Sequence, residues 1–204
     1  MAMRIDILCV GRLKEAYWRD AAQEYLKRLS RYARVEIAEV NDQPAAERLS
    51  PAQARQVMEA EGERLLSRLK PNTHAIALDG RGKEMDSVAF SGLLTRLELE
   101  GRDAAFVIGG SLGLSAQVLD ACPERLSLGA MTWPHQIARI LLLEQIYRGY
   151  RIARNERHQH ERKNGNKYED QQHLSCTLYY VCLHLVSTAG ISPLPYSSLP
   201  VSVL

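Results

Sequence analysis

The segment AFVIGGSLGLS, residues 105–115, joins an apolar run to a glycine-rich loop. An apolar run of this kind that ends in glycines is typical of a strand buried inside a sheet. Glycines directly after a strand allow the main chain to approach a ligand or a neighbouring helix closely. The segment therefore predicts a buried strand that opens into a candidate binding loop, and it leaves the occupant of that loop open.

Strands and helices alternate on both sides of this segment, from Arg4 to Arg154. The predicted strands cover residues 4–10, 34–40, 74–79, 103–108 and 125–131. The predicted helices cover residues 16–32, a stretch opened by Ser50 and Pro51, a stretch from Asp86 or Ser87 to Glu100, residues 115–122, and a long run that starts at Pro134. Strands separated by helices of this length indicate βαβ units and a parallel sheet with helices on both faces. The pattern does not determine the strand order.

Three loops follow predicted strands and are expected to meet. They are LDGRGKEM (78–85), GGSLGLS (109–115) and GAMTWPH (129–135). In open α/β sheets, ligands bind outside the carboxyl ends of the strands. The sequence therefore predicts a site formed by these three loops.

The glycine loop matches neither of two common phosphate-binding templates. Ser111 stands where a dinucleotide fingerprint requires glycine, and no Gly-Lys-Ser/Thr follows as in a P-loop. The loop has no lysine or arginine to face a phosphate, which favours a neutral or cationic group held by main-chain contacts. The alternative is that Gly109, Gly110 and Gly113 only form a tight turn with positive φ.

The segment around Pro134 adds a second feature. Gly129, Ala130 and Thr132 are small enough to let the main chain wrap around a flat ring such as adenine. The helix that follows is apolar on most of its circumference between residues 137 and 143, which predicts an oligomer interface as well as a core. Glu144 and Arg148 are four residues apart and are expected to pair.

Composition places few limits on function. The chain has 204 residues, 46% of them hydrophobic, and a formal net charge of +2. Such a mildly basic balance permits a nucleic-acid partner without requiring one. Its four cysteines form no Cys-x-x-Cys pair, and no signal peptide is evident at the amino terminus. We therefore expect reduced thiols and a cytoplasmic location.

Three segments together resemble the RlmH-type large-subunit ribosomal RNA methyltransferases of the SPOUT superfamily. They are IDILCVGRLKEAYWRDAAQEYLKRLSRY (5–32), VIGGSLGLS (107–115) and LSLGAMTWPHQIARILLLEQIYRGYRI (126–152). The resemblance covers about residues 4–154, and the motifs stand in the order typical of that family.

The resemblance implies a fold, a cofactor and a reaction. The fold would be an α/β parallel sheet with a C-terminal trefoil knot, in a homodimer that uses the knotted region and the last helix. The cofactor would be S-adenosylmethionine (S-adenosyl-L-methionine), and no metal is needed. The reaction would be N3-methylation of a pseudouridine in the helix 69 loop of 23S rRNA, within assembled ribosomes.

The resemblance also implies site residues. Its cofactor contacts fall on Leu78, Gly109, Leu128, Gly129, Ala130, Met131, Thr132 and Trp133. Relatives often carry serine and leucine at the positions of Gly129 and Trp133. Candidates for catalysis or RNA contact are His135, Arg139 and Arg148. The alternatives are helix packing for His135, and ion pairs with Glu144 for the two arginines.

The chain departs from the family after residue 154. Members usually end in a compact Pro-Tyr-His tail that contributes to the active site, whereas Glu156 is followed here by Arg157 and His158. We expect residues 1–154 to form the methyltransferase domain, and residues 155–204 to be an atypical tail, disordered or loosely packed. Its histidines and cysteines match no zinc pattern, and its apolar run is too diluted for a membrane anchor. A non-catalytic knotted protein that binds cofactor or ribosome is the second interpretation.

Overall fold

The structure, a computed structural model, describes residues 2–44 and 48–156. Its elements in chain order are β1 (Arg4–Val10), α1 (Ala16–Leu29), β2 (Arg34–Val40), α2 (Pro51–Leu66), β3 (Thr73–Glu84), α3 (Ser87–Leu99), β4 (Asp103–Ile108), α4 (Ala116–Ala121), β5 (Glu124–Ser127) and α5 (His135–Ala153). The alternation of strands and helices predicted from the sequence is confirmed. The predictions about the tail from residue 157 onward, including its order and any metal or membrane role, lie outside the described residues.

The five strands form one parallel sheet in the order β2-β1-β4-β3-β5. β4, which carries the opening segment, is the middle strand, and its residues 104–108 are buried as their apolar run predicts. Because all strands are parallel, their carboxyl ends lie at one edge of the sheet. The loops that follow β1, β3, β4 and β5 therefore start from the same edge.

Helices cover both faces of the sheet, as predicted. On one face α1, α3 and α5 pack against side chains such as Ile5, Ile7 and Phe106. On the other face α2 and α4 pack against Leu8 and Val107. Neighbouring strand residues point to opposite faces, so these apolar runs supply both cores.

Local signals in the sequence determine where the helices begin. Ser50 and Gln53 form a reciprocal capping box at the start of α2, which has Pro51 at its first position. The carboxylate of Asp86 accepts the Ala89 N–H at the start of α3, and the Ser115 hydroxyl accepts the Val118 N–H at the start of α4. These predicted helix starts are confirmed.

Two predicted strands have different ends in the structure. β5 stops at Ser127, well before residue 131, because the Ser127 hydroxyl accepts the Gly129 N–H and Gly129 has a φ of +112°. β3 extends beyond residue 79 to Glu84, but its pairing with β5 shifts register, so that Leu78 and Lys83 both face Leu126. The intervening residues leave the ladder and form part of the candidate site.

Two further properties concern the helices and the metal-ligating side chains of the described residues. Within residues 2–44 and 48–156, no helix is long and apolar enough to cross a bilayer. The same residues contain no group of three or more His, Cys, Asp or Glu side chains that is placed to hold a metal ion.

Candidate functional site

A cleft of about 930 Å³ opens at the carboxyl edge of the sheet. Its walls come from the irregular part of β3 at residues 78–81, the loops after β4 and β5, the first turn of α5, and Met58 of α2. The three loops that were expected to meet do meet here. The lining includes every cofactor contact that the resemblance implies: Leu78, Gly109, Leu128, Gly129, Ala130, Met131, Thr132 and Trp133. That these residues bind a ligand stays a prediction.

The turn after β4 is closed on itself by main-chain contacts. The Gly113 N–H donates to the Gly110 carbonyl at 3.1 Å, and Gly113 has a φ of +89°. A methyl group on Gly109 would lie 2.6 Å from both the carbonyl carbon and the carbonyl oxygen of Gly113. The tight-turn interpretation therefore accounts for Gly113, whereas Gly109 is required because there is no room for a side chain.

The loop after β5 forms the opposite wall of the cleft. Met131 is exposed at its rim. Trp133 is half-buried, and its indole Nε1 is buried without a hydrogen-bond acceptor among the described residues. A buried indole N–H usually finds an acceptor, so this donor is left unsatisfied within residues 2–44 and 48–156.

The two fully charged residues of the lining neutralise each other. Asp79 Oδ2 lies 3.2 Å from Arg81 Nη2, and Asp79 Oδ1 accepts the Arg81 N–H at 3.0 Å. Burial alone would raise the pKa of Asp79, but these hydrogen bonds from Arg81 hold that pKa below its usual value. The cleft therefore has little net charge of its own.

His135 lies at the mouth of the cleft, in the first turn of α5. Its ring packs over Gly11 of the β1–α1 loop, where a methyl group would lie 3.2 Å from Nε2. Burial, and then the positive charge of Arg139, lower the pKa of His135. Both effects favour the uncharged imidazole, whose free ring nitrogen can accept a proton.

The lowered pKa of His135 predicts a pH dependence of stability. An unperturbed histidine titrates near pH 6.5, so on acidification the unfolded chain takes up this proton before the folded protein does. We expect the free energy of unfolding to fall as the pH falls below about 6.5, and less steeply in His135→Gln. Urea denaturation across this pH range measures the slope for wild type and for His135→Gln. The two proteins differ only at residue 135, so every other titrating group is common to both. Equal slopes would contradict the prediction.

Arg139 is fully buried, and its contacts differ from both expectations. Its Nη1 lies 2.6 Å from Glu39 Oε1, and its Nη2 donates to the Gly11 carbonyl at 3.1 Å. The same Glu39 oxygen accepts the Leu13 N–H at 3.1 Å. The prediction that Arg139 faces RNA or pairs with Glu144 is therefore wrong, because this face of α5 packs against the sheet and its guanidinium links β2 to the β1–α1 loop.

Arg148 pairs with Glu144, as their spacing predicts. Nη2 of Arg148 lies 3.0 Å from Oε1 of Glu144, and the two side chains are only 11% and 17% exposed. Arg148 does not line the cleft. Its role in catalysis or RNA contact stays a prediction.

Two carboxylates near the cleft were not identified from the sequence. Glu39 belongs to an alternating strand, and nothing in that pattern points to a partner 100 residues away. Glu61 lies on the buried face of α2, next to Gly62, and its carboxylate touches Gly110. The sequence offered one signal for Glu61. It stands at helical spacing between two apolar residues, Met58 and Leu65, and so lies on the same face of the helix as they do.

A family model and several known proteins match the sequence of this chain. The family model described as "Predicted SPOUT methyltransferase" matches residues 3–159. A protein named ribosomal RNA large subunit methyltransferase H from Carboxydothermus hydrogenoformans is 48% identical over 76% of this chain and 98% of its own length. Its namesake from Pelotomaculum thermopropionicum is 52% identical over 74% of this chain and 96% of its own length.

A solved structure is also similar. The probable methyltransferase from Bordetella pertussis Tohama I aligns with a TM-score of 0.48 and 19% identity, over 72% of this chain and 95% of that one. The sequence matches are extensive enough to decide the family by themselves. The chain belongs to the SPOUT methyltransferase family.

Proposed function

We propose that the protein methylates large-subunit ribosomal RNA, using S-adenosylmethionine, at N3 of a pseudouridine in the helix 69 loop of 23S rRNA. The methyltransferase family and relatives about half identical, which are named for the large ribosomal subunit, support the class of reaction and the RNA. The pseudouridine and its N3 atom come from the resemblance of the three sequence segments. One observation carries the proposal: the predicted cofactor contacts, from three distant parts of the chain, line one cleft.

The cleft fits S-adenosylmethionine in size, shape and charge. Its volume of about 930 Å³ falls within the usual range for ligand pockets. Glycines and other small residues make up much of its lining, which suits contacts through main-chain groups. The Asp79–Arg81 pair leaves little net positive charge to repel a cation. When bound, S-adenosylmethionine supplies a methyl group that is already activated on a sulfonium.

The residues of the chain would then bind, orient and deprotonate. The closed turn between Gly109 and Gly113 gives one wall a fixed shape, and such positioning contributes about 7–11 kcal/mol in well-oriented reactions. The attacking N3 is a weakly acidic imide and must lose its proton. We assign this proton to His135, because its lowered pKa favours the uncharged imidazole that can accept a proton. Arg139 is a positioning residue, because it holds the Gly11 carbonyl beneath the His135 ring.

The proposal includes a homodimer and a knot. Ile137 and Leu141 of α5 remain half-buried, and they form an apolar strip on the side of the helix away from the sheet. A second copy would cover this strip. Gly82 of β3 lies against the main chain of β5, where a methyl group would be 2.7 Å from the carbonyl carbon of Arg125. The knot itself is implied by the resemblance, and it would require main-chain segments to pack this closely. A ribosomal substrate implies action in the cytoplasm.

Methyl transfer to ribosomes tests the proposal. The full-length protein, labelled S-adenosylmethionine and 70S ribosomes that lack the modification are expected to give N3-methylated pseudouridine, identified by mass spectrometry of rRNA digests. Calorimetry with S-adenosylmethionine is done in parallel. Absence of binding would reject the cofactor, and methylation at a different nucleotide would reject the target.

The second interpretation, a non-catalytic binder of cofactor or ribosome, is favoured by the sequence after Glu156. No Pro-Tyr-His follows there. Glu156 itself accepts a hydrogen bond from the Tyr32 hydroxyl at 2.5 Å, so the usual end of the domain is anchored up to this residue. Cofactor binding without methyl transfer would support this interpretation. A variant that carries a Pro-Tyr-His ending after Glu156 should then gain activity.

A further inference from the structure

We propose that Glu61 is a specificity-determining residue that makes the cleft prefer the cationic methyl donor over its neutral product. The proposal rests on the proposed function, since it concerns S-adenosylmethionine and S-adenosylhomocysteine. The donor carries a sulfonium charge, and the product carries an uncharged thioether at the same position. A fixed negative charge beside the cleft would distinguish the two.

The carboxylate of Glu61 lies directly behind the glycine wall. Glu61 is only 5% exposed, and it projects from α2 towards the turn after β4. A methyl group on Gly110 would lie 2.8 Å from Oε2 and 3.3 Å from Oε1 of this carboxylate. Gly110 lines the cleft, so only its main chain separates the carboxylate from a bound ligand.

This carboxylate forms no ion pair among residues 2–44 and 48–156. Its Oε1 accepts the Gln43 N–H at 2.9 Å. Arg64, almost one turn further along α2, donates instead to the Asn41 carbonyl at 3.0 Å and to the Gln43 side-chain oxygen at 2.6 Å. A buried carboxylate without an ion pair is unfavourable, so a cation in the cleft would relieve this cost.

On balance, the surroundings of Glu61 disfavour its negative charge. Burial raises the pKa of Glu61, the negative charge of Asp42 raises it further, and the Gln43 N–H and Arg64 act in the opposite direction. Charges in a protein interior interact more strongly than in water. The Asp79–Arg81 pair is neutral overall, whereas Glu61 lies next to the glycine wall and forms no ion pair among the described residues.

Calorimetric titration with both nucleosides tests the proposal. The full-length wild type, Glu61→Gln and Glu63→Gln are each titrated near pH 8, well above the usual range of carboxyl groups, because burial raises the pKa of Glu61. Glu61→Gln keeps the shape of the side chain and removes its charge. We expect it to weaken S-adenosylmethionine binding by roughly tenfold and S-adenosylhomocysteine binding by less than about twofold. Glu63→Gln removes the same charge from an exposed position on the same helix, and should change neither affinity.

The outcomes separate this proposal from the proposed function. If wild type binds neither nucleoside, the proposed function fails and this inference fails with it. If wild type binds both and Glu61→Gln weakens both equally, or neither, only this inference is overturned. If Glu61→Gln does not fold, measurements on the wild type alone can still overturn the inference. It must bind the amine analogue sinefungin, which is also cationic, more tightly than the neutral product, and equal affinities would reject the inference.

Discussion

Gly109→Ala is expected to weaken S-adenosylmethionine binding by roughly 100-fold, because the new methyl group meets the main chain rather than a movable side chain. The two nearest atoms, the carbonyl carbon and oxygen of Gly113, would be only 2.6 Å away. The turn must open to accommodate it. Opening the turn displaces one wall of the cleft, whereas β4 itself is held by its neighbours β1 and β3.

Gly80→Ala is the matched control for this experiment. Gly80 lines the same cleft, but a methyl group there has nothing within 4 Å. Calorimetry on both variants, with melting temperatures to confirm folding, compares a crowded glycine with an uncrowded one. If Gly109→Ala binds as tightly as wild type, the turn after β4 is not part of the binding site.

Arg139→Met is expected to lower the free energy of unfolding by about 3 kcal/mol, the low end of the range for a broken buried ion pair, because Glu39 keeps 32% of its side chain exposed. Methionine fills part of the volume, but it leaves the Gly11 carbonyl without its donor and Glu39 without its cation. In a domain of this size, such a loss lowers the melting temperature by roughly 6–12 °C.

Arg28→Met provides the comparison for Arg139→Met. Arg28 pairs with Glu24 on the surface of α1, with both side chains about half exposed. Exposed pairs of this kind contribute about 0.3–0.5 kcal/mol, so Arg28→Met should shift the melting temperature by no more than about 2 °C. Equal losses in the two variants would show that the burial of Arg139 adds nothing to stability.

Local signals were sufficient to predict the elements of the fold and the walls of the cleft. Apolar runs defined the strands, and Ser50, Asp86 and Ser115 defined helix starts. The rule that parallel sheets bind ligands at their carboxyl edge then brought the three loops together. The glycines at 109 and 113 were recognised, although their separate reasons, crowding and positive φ, required coordinates.

Long-range pairing could not be predicted from a single sequence. The pattern of strands is equally compatible with several strand orders, and β5 was expected to continue through residue 131 because the hydroxyl–main-chain turn at Ser127 was not recognised. Arg139 looked like a surface residue of a helix, because its partner Glu39 is distant in sequence. The contact of Glu61 with Gly110 was missed for the same reason.

The central place of β4 has a consequence for how the chain folds as it is synthesised. When residue 100 leaves the ribosome, β1 already has β2 beside it, but β3 still lacks both of the strands that flank it in the native sheet. The apolar stretch of β3 must wait for the chain that follows, and pairings of this range form slowly. During that interval the nascent polypeptide presents an unpaired, aggregation-prone edge, for which a chaperone is the natural protector.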